Sequence, residues 1–243
     1  MFLPDVSSIE IALICLVVLV GSTLQGSVGF GMGLLASPLL ILIDPRFVPA
    51  PILLSTLVLV SLLTYRERHA IDLHGVGWAM VGRVGGTAAA GLVLVALPGD
   101  RLVLLFGILV LVAVGMSLSR WRPAPVRPVL VAAGLASGVL GTIASIGGPP
   151  MALLYQDAPG ARIRSTMSGF FLAGTILSLA ALRGVGRFGL YEVRLALLML
   201  PALLAGYVLS GWTAGFVDRG RTRRAVLAVA GASGAAIVIR QLL

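Results

Sequence analysis

The chain has 243 residues, of which 58% are hydrophobic and 11% are charged, and its mean hydropathy is +1.07. Soluble domains carry about 25% charged residues, so this composition excludes an ordinary soluble protein and indicates an integral membrane protein. The net charge of +9 does not indicate nucleic-acid binding. The arginines lie in short loops between apolar segments, where basic residues normally mark the cytoplasmic face of a membrane.

Eight apolar segments follow one another, and most have about the 20 residues that a helix needs to cross the hydrocarbon. We predict an all-α polytopic membrane protein with segments at about 9–43, 49–65, 75–97, 101–119, 129–157, 163–182, 190–217 and 222–243. The first segment is too long for one crossing and too short for two crossings with a turn. We expect its two pieces, 9–24 and 32–43, each to reach only part of the way across.

Segments 1 and 5 are interrupted by glycine and proline, which weaken or end helices. Residues 24–43 read LQGSVGFGMGLLASPLLILI and residues 137–155 read SGVLGTIASIGGPPMALLY; an offset of 112 places Gly26 on Gly138. In a bilayer, unwound backbone is tolerated only where it is buried in protein or lines a cavity. A pair of such breaks in corresponding halves indicates a transport site.

The similarity between the halves extends beyond the breaks, since an offset of 120 places Gly86 on Gly206. We therefore predict a single transmembrane transporter domain, residues 1–243, that arose by internal duplication. Its parts are repeat 1 at 1–119, a basic, proline-rich linker at 120–128, and repeat 2 at 129–243.

The distribution of arginines distinguishes two topologies. If all eight segments cross, nine arginines lie on one side and eight on the other. If segments 1 and 5 are re-entrant, the counts are eleven and six. The positive-inside rule favours the second topology, in which the repeats are inverted and both termini lie outside the cytoplasm.

The residues LQGSVGFGMGLLASPLL, with GTIASIGGPPMALL half a chain later, resemble the sulfite exporter TauE/SafE family of small bacterial permeases. The resemblance covers nearly the whole chain. It implies two related halves and transport of a sulfur-containing or organic anion, such as sulfite or a sulfonate, across the bacterial inner membrane. The GFG sequence is not repeated, because residues 145–148 read SIGG, so the two motifs need not share one role.

We expect the two breaks to meet near the middle of the membrane and to form an anion site. The outgoing half-helices should begin near Gly31 and near Pro150, with free amides and positive dipole ends facing a cavity. The serine and threonine hydroxyls of these two segments have an alternative role, which is a hydrogen bond to a nearby backbone carbonyl. The alternative for Phe30 is a position against lipid. The predicted substrate-binding residues are Gln25, Gly26, Ser27, Gly29, Phe30, Gly31, Ser37, Arg83, Thr142, Ser145, Gly147, Gly148 and Pro150.

Arg83 lies well inside the third segment. Charges within the membrane are expensive and mark functional sites, and the planar guanidinium suits a pair of sulfite or sulfonate oxygens. The alternative is that the helix starts later and Arg83 extends to the interface.

No Asp or Glu lies deep in any segment, so a carboxylate proton relay is not expected. A membrane potential that is negative inside drives anions outward, which favours export. Alternatives are an anion channel, an importer of organic anions coupled to an unidentified ion, and a structural subunit. An intramembrane serine protease using Ser233 is disfavoured, because both histidines lie in one distant loop.

The expected partners are a small anionic substrate and the lipid bilayer, without nucleic acid, and a homo-oligomer is left open. We expect no catalytic residue and no cofactor. We also expect no metal site, because His69 and His74 lack partners at ligand spacing.

Overall fold

The computed structural model describes residues 6–119, 121–213 and 219–242, and the regular structure within these ranges is helical. The α-helices are α1 (Ser8–Val28), α2 (Met32–Ile43), α3 (Ala50–Glu67), α4 (Leu73–Ala96), α5 (Gly99–Leu118), α6 (Arg127–Ala144), α7 (Gly148–Tyr155), α8 (Gly160–Gly184), α9 (Leu190–Thr213) and α10 (Arg219–Leu242). Short 3-10 turns, Pro45–Phe47 and Arg68–Ala70, precede α3 and α4. The predicted all-α fold is confirmed.

Eight stretches of the described chain are helical, long and apolar enough to cross a membrane. They correspond to α1, α3, α4, α5, α6, α8, α9 and α10, whereas α2 has 12 residues and α7 has 8. The protein is therefore a multi-pass membrane protein, as predicted. Residues 214–217, the end of the predicted seventh segment, lie outside the described residues.

One prediction about the first segment is wrong. Its first piece does not stop at residue 24, because α1 has 21 residues, about 31 Å at about 1.5 Å per residue, which is enough to cross the hydrocarbon. Gly21 and Gly26 lie inside α1, where a glycine costs at most about 1 kcal/mol. The chain turns only at Gly29 and Gly31, whose φ angles of 99° and 131° suit glycine alone.

Helices α1 and α2 form a first hairpin. After the turn at Gly29, α2 packs back along α1, so that Gly21 lies against Ala36. Because these two residues lie on opposite sides of the turn and at similar distances from it, the two helices are antiparallel. Only the α2 arm of this hairpin is too short to cross a bilayer.

Helices α6 and α7 form a second hairpin. Ser145 ends α6 with a left-handed φ of 59°, and Pro149 and Pro150 stand in the first turn of α7, where no amide hydrogen is needed. Leu130 of α6 and Leu154 of α7 belong to one buried cluster, so α7 runs back towards the start of α6.

The two ends of the helix bundle are distinguished by their polar contacts. At the end that carries residues 121–126, called the linker end, three ion pairs join loops and helix ends: Glu67–Arg164, Asp72–Arg162 and Asp157–Arg122. At the opposite end, called the terminal end, Arg46 donates to the hydroxyl of Tyr191 (3.3 Å) and Arg187 donates to the carbonyl of Leu94 (3.0 Å).

The hairpins enter the bundle from opposite ends. The guanidinium of Arg66, near the linker end of α3, donates to the carbonyl of Gly26 (3.0 Å), so the tip of the first hairpin points to the linker end. The hydroxyl of Ser145 donates to the carbonyl of Pro49 (3.3 Å), in the loop before α3, so the tip of the second hairpin points to the terminal end.

The helices of the two predicted repeats pack reciprocally. Helix α4 packs on α6 and α9 on α1, while α7 contacts α5 and α2 contacts α10. Helices α3 and α8, which occupy corresponding places in the repeats, pack on each other. A twofold relation between the halves would produce this pattern. The duplication and its inversion stay predictions, which this packing supports.

Candidate functional site

The tips of the two hairpins contact each other inside the bundle. Gly148, at the start of α7, lies against Phe30, in the turn of the first hairpin. Gly33, in the first turn of α2, lies so close to the carbonyl oxygen of Ser145 that a methyl group would overlap it. The two breaks in the sequence therefore meet in space.

A cavity of about 30 Å³ lies between the tips. A water needs about 10–15 Å³, so the cavity has room for about two waters. Its walls combine apolar side chains with a few polar groups. Seven of the predicted site residues line it: Gln25, Phe30, Gly31, Arg83, Ser145, Gly147 and Gly148.

Six predicted residues do not line this cavity: Gly26, Ser27, Gly29, Ser37, Thr142 and Pro150. Gly26 and Ser27 face α9, where the hydroxyl of Ser27 lies 2.9 Å from that of Thr213. Residues one or two positions after Gln25 point to other sides of α1, since a helix turns about 100° per residue. Only one face of the broken segment therefore reaches the cavity.

The other four lie near the site without reaching it. Gly29 packs against the backbone of Arg164, and Ser37 is buried with no partner for its hydroxyl among the described residues. Thr142 contacts the hydroxyl of Ser178 (2.8 Å), which is itself a partner of Arg83. Pro150 is in the first turn of α7, but that helix begins two residues earlier, at Gly148.

Arg83 is the charged group of the site. It lies ten residues, about 15 Å, from the start of α4, and its side chain is 2% exposed. One terminal nitrogen donates to the carbonyl (2.8 Å) and the hydroxyl (2.6 Å) of Ser137; the other donates to the carbonyl of Gly174 (3.3 Å) and the hydroxyl of Ser178 (3.2 Å). The centre of the Phe170 ring lies 5.4 Å from the central carbon of the Arg83 guanidinium. Arg83 therefore does not extend to the interface, and that alternative is wrong.

Three glycines make room for this guanidinium. A methyl group on Gly141 or Gly147 would lie 2.6 Å from a terminal nitrogen of Arg83, and one on Gly174 would lie 2.8 Å from its Nε. Side chains at these positions would therefore displace the guanidinium. Gly147 was among the predicted site residues, whereas Gly174 was not, because a single glycine inside an apolar helix carries little information.

The charge of Arg83 has no carboxylate partner within 4.0 Å among the described residues, and its Nε has no hydrogen-bond partner there. Helices α2, α4, α6, α7 and α8 contain no Asp or Glu. A buried charge without a counter-ion costs several kcal/mol. The cavity is thus a place where an anion would be stabilised.

The two helix N-termini at the cavity differ in what they offer. The side-chain oxygen of Gln25 accepts from the backbone N–H of Met32 (3.2 Å) and so caps α2, whose next amides lack partners within the helix. In α7, Pro149 and Pro150 have no N–H to donate. At this second tip the guanidinium of Arg83, beside Gly147, is the donor.

Several residues that contact Arg83 or line the cavity were not among the predicted site residues. Ser137 and Ser178 hold the guanidinium of Arg83, and Thr56, Phe171 and Thr175 line the cavity. The offset of 112 aligns Ser137 with Gln25, so the internal repeat carried a signal for that residue. The others lie in unbroken helices, where an apolar segment with scattered hydroxyls does not single out a residue.

A polar network covers the tip of the first hairpin at the linker end. Both carboxylate oxygens of Glu67 accept from Nε of Arg164 (2.8 Å each), and the backbone of Arg164 lies against Gly29. Arg66 donates to the carbonyl of Gly26 and to the hydroxyl of Ser210 (3.2 Å). These contacts join α3, α8 and α9 above the tip.

Asp72 anchors the loop between α3 and α4 at the same end. It accepts from the N–H of Gly75 (3.0 Å), the hydroxyl of Tyr155 (3.0 Å) and the guanidinium of Arg162 (3.2 Å). Burial by itself raises the pKa of Asp72, but these three hydrogen bonds outweigh burial and hold the pKa below its usual value.

Comparison with models of known families matches residues 13–237 to the model described as sulfite exporter TauE/SafE. No curated protein matches the chain, and no solved structure does.

Proposed function

Since the chain belongs to the sulfite exporter TauE/SafE family, and so is a membrane permease for sulfite or related anions, we propose that it exports a small sulfur-containing oxyanion or an organosulfonate across the bacterial inner membrane. The cavity between the hairpin tips is the binding site in this proposal. Arg83 pairs with the anion, and Gln25 and the first amides of α2 contribute hydrogen bonds.

The observation that carries the proposal is the unpaired charge of Arg83. The side chain is buried, has no carboxylate partner among the described residues, and lines the cavity. An anion in the cavity would offset the cost of the buried charge, and its oxygens would replace part of their hydration shell with N–H groups. The apolar walls would strengthen the attraction, because it acts in a low dielectric.

The contact between the two hairpin tips favours a carrier over an open channel. The tips contact each other at Gly33 and Gly148, and the space between them is about 30 Å³. A carrier must pass through a state in which the site is closed to both sides, whereas a conducting pore is continuous. In this proposal, movement of one hairpin against the other opens the site to each face in turn.

The orientation follows from the arginines. The described arginines of the linker end are Arg66, Arg68, Arg122, Arg127, Arg162 and Arg164. The topology predicted from the sequence assigns Arg219, Arg221, Arg223 and Arg224 to the same side of the membrane. We therefore place the linker end in the cytoplasm and both termini outside, with the repeats inverted. A potential that is negative inside then drives an anion outward by about 2.3 kcal/mol per charge per 100 mV.

The test is transport by purified protein in liposomes loaded with labelled sulfite or with a labelled sulfonate. We expect saturable efflux, and counterflow when unlabelled anion is present outside. Arg83→Gln should lower the rate at least tenfold. Arg122→Gln is the matched control, because Arg122 forms an exposed ion pair with Asp157 outside the bundle.

Full transport activity of Arg83→Gln would overturn the assignment of the site. Flux without saturation or counterflow would identify a channel instead. Size-exclusion profiles and circular dichroism of both variants establish that each is folded before the rates are compared.

A further inference from the structure

We propose that the site selects singly charged anions and rejects doubly charged ones. This inference rests on the proposed function, and it names the charge state of the transported species. For sulfite it means that hydrogensulfite, and not the dianion, is carried. Simple alkanesulfonates such as methanesulfonate carry one negative charge at every physiological pH and would also be accepted.

The first step is the charge of the cavity. Arg83 is the single ionisable side chain among the described residues that line it, and an arginine stays protonated in proteins. The cavity therefore carries one positive charge. A bound monoanion brings the total to zero, whereas a dianion leaves one uncompensated negative charge.

The second step is the absence of other charges around Arg83. Around this residue α4 packs against α6 and α8, and Gly147, which precedes α7, lies against the guanidinium. The ionisable residues of these three helices stand at or near the helix ends: Arg127 in α6, Tyr155 in α7, and Arg162, Arg164 and Arg183 in α8. On α4 itself the other ionisable residue is His74, in its first turn. None of these lines the cavity.

The third step is the chemistry of the remaining walls. Phe30, Leu34, Leu53, Ile146 and Phe171 make much of the lining apolar. The desolvation cost of an ion rises with the square of its charge, so a dianion loses about four times as much hydration energy as a monoanion of equal size. Neutral donors such as the amide of Gln25 replace part of that hydration but add no charge.

The fourth step is size. The space between the tips is about 30 Å³, room for about two waters, so few waters accompany a bound dianion and soften its charge. An anion that enters must leave most of its water behind. The compensation must therefore come from the protein, and the protein offers a single cation.

The experiment measures binding to the purified parent protein by isothermal titration calorimetry, at one pH unit below and one unit above the pKa of hydrogensulfite. Methanesulfonate is the permanent monoanion, sulfate the permanent dianion and sulfite the titrating ligand. We expect equal Kd values for methanesulfonate at the two pH values. The apparent Kd of total sulfite should rise at least fivefold at the higher pH, and sulfate should bind at least one hundredfold more weakly than methanesulfonate.

Sulfate that binds as tightly as methanesulfonate, or a sulfite Kd that does not change with pH, would overturn the inference. Arg83→Gln and Arg83→Lys separate this result from failure of the proposed function. If both kinds of anion bind the parent and neither binds Arg83→Gln, the anion site stands and charge selection is wrong. If binding is the same in Arg83→Gln as in the parent, the proposed site itself is wrong. Arg83→Lys keeps the charge and should retain the preference for methanesulfonate.

Discussion

The contact between the hairpin tips can be tested at Gly33. An added methyl group would overlap the carbonyl oxygen of Ser145, and both partners belong to backbone that cannot rotate away. Overpacking of this kind costs about 1–3 kcal/mol, and for a chain of this length about 1 kcal/mol lowers the Tm by about 2–4 °C. Gly33→Ala should therefore lower the Tm by roughly 2–12 °C. It should also slow transport, because the added methyl group forces the two tips apart.

The matched control is Gly99→Ala. Gly99 also stands in the first turn of a helix, α5, and a methyl group there meets no atom within 4 Å among the described residues. Alanine favours helix over glycine by about 1 kcal/mol, so this variant should keep or slightly raise the Tm. Thermal unfolding in detergent, followed by intrinsic fluorescence, measures both variants. A Gly33→Ala protein with parental Tm and parental flux would refute the contact between the tips.

Three further predictions concern the site and its supports. Gln25→Ala should weaken anion binding by about 1 kcal/mol, roughly fivefold in Kd, whereas Gln25→Glu should abolish it because a carboxylate would neutralise Arg83; calorimetry checks both. Ser145→Val should lower the Tm more than Ser145→Gly, because a β-branched residue disfavours the left-handed φ of 59°. The pKa of Asp72 is lowered in the folded protein, so its contribution to stability is present above about pH 4 and is lost on further acidification. Asp72→Asn should therefore be less stable than the parent at neutral pH. Thermal unfolding of the two proteins at a series of pH values should show the difference in their Tm shrinking as the pH falls.

The sequence was a good guide wherever a single residue type has one physical consequence in a membrane. Length and apolarity predicted the spans, and the stretches rich in glycine and proline at 26–38 and 141–150 contain both breaks. Arg83 was identified because a cation inside an apolar segment is rare and costly. Its burial and its place on the cavity wall agree with that expectation, whereas its role in binding stays a prediction.

The sequence was a poorer guide to where a helix ends and to which side of a helix faces the cavity. It ended the first half-helix at residue 24, whereas Gly26 fits inside α1 and, in this segment, Gly29 and Gly31 are the described residues with a positive φ. It also predicted Ser27 and Thr142 as site residues; their hydroxyls bond to neighbouring helices, and their role in binding stays a prediction. Which side of a helix faces a cavity depends on partners that lie far away in the chain.

By itself, the sequence determined that this chain crosses a membrane many times, is helical and is interrupted at two corresponding points, because hydrophobicity and backbone freedom are properties of local composition. Only the tertiary structure decided that the two interruptions touch, that Gly141, Gly147 and Gly174 enclose the guanidinium of Arg83, and that no described carboxylate pairs with it. The physical reason is that the burial of Arg83 and the lack of a partner for its charge depend on how helices α4, α6, α7 and α8 pack together, and local composition does not determine that packing.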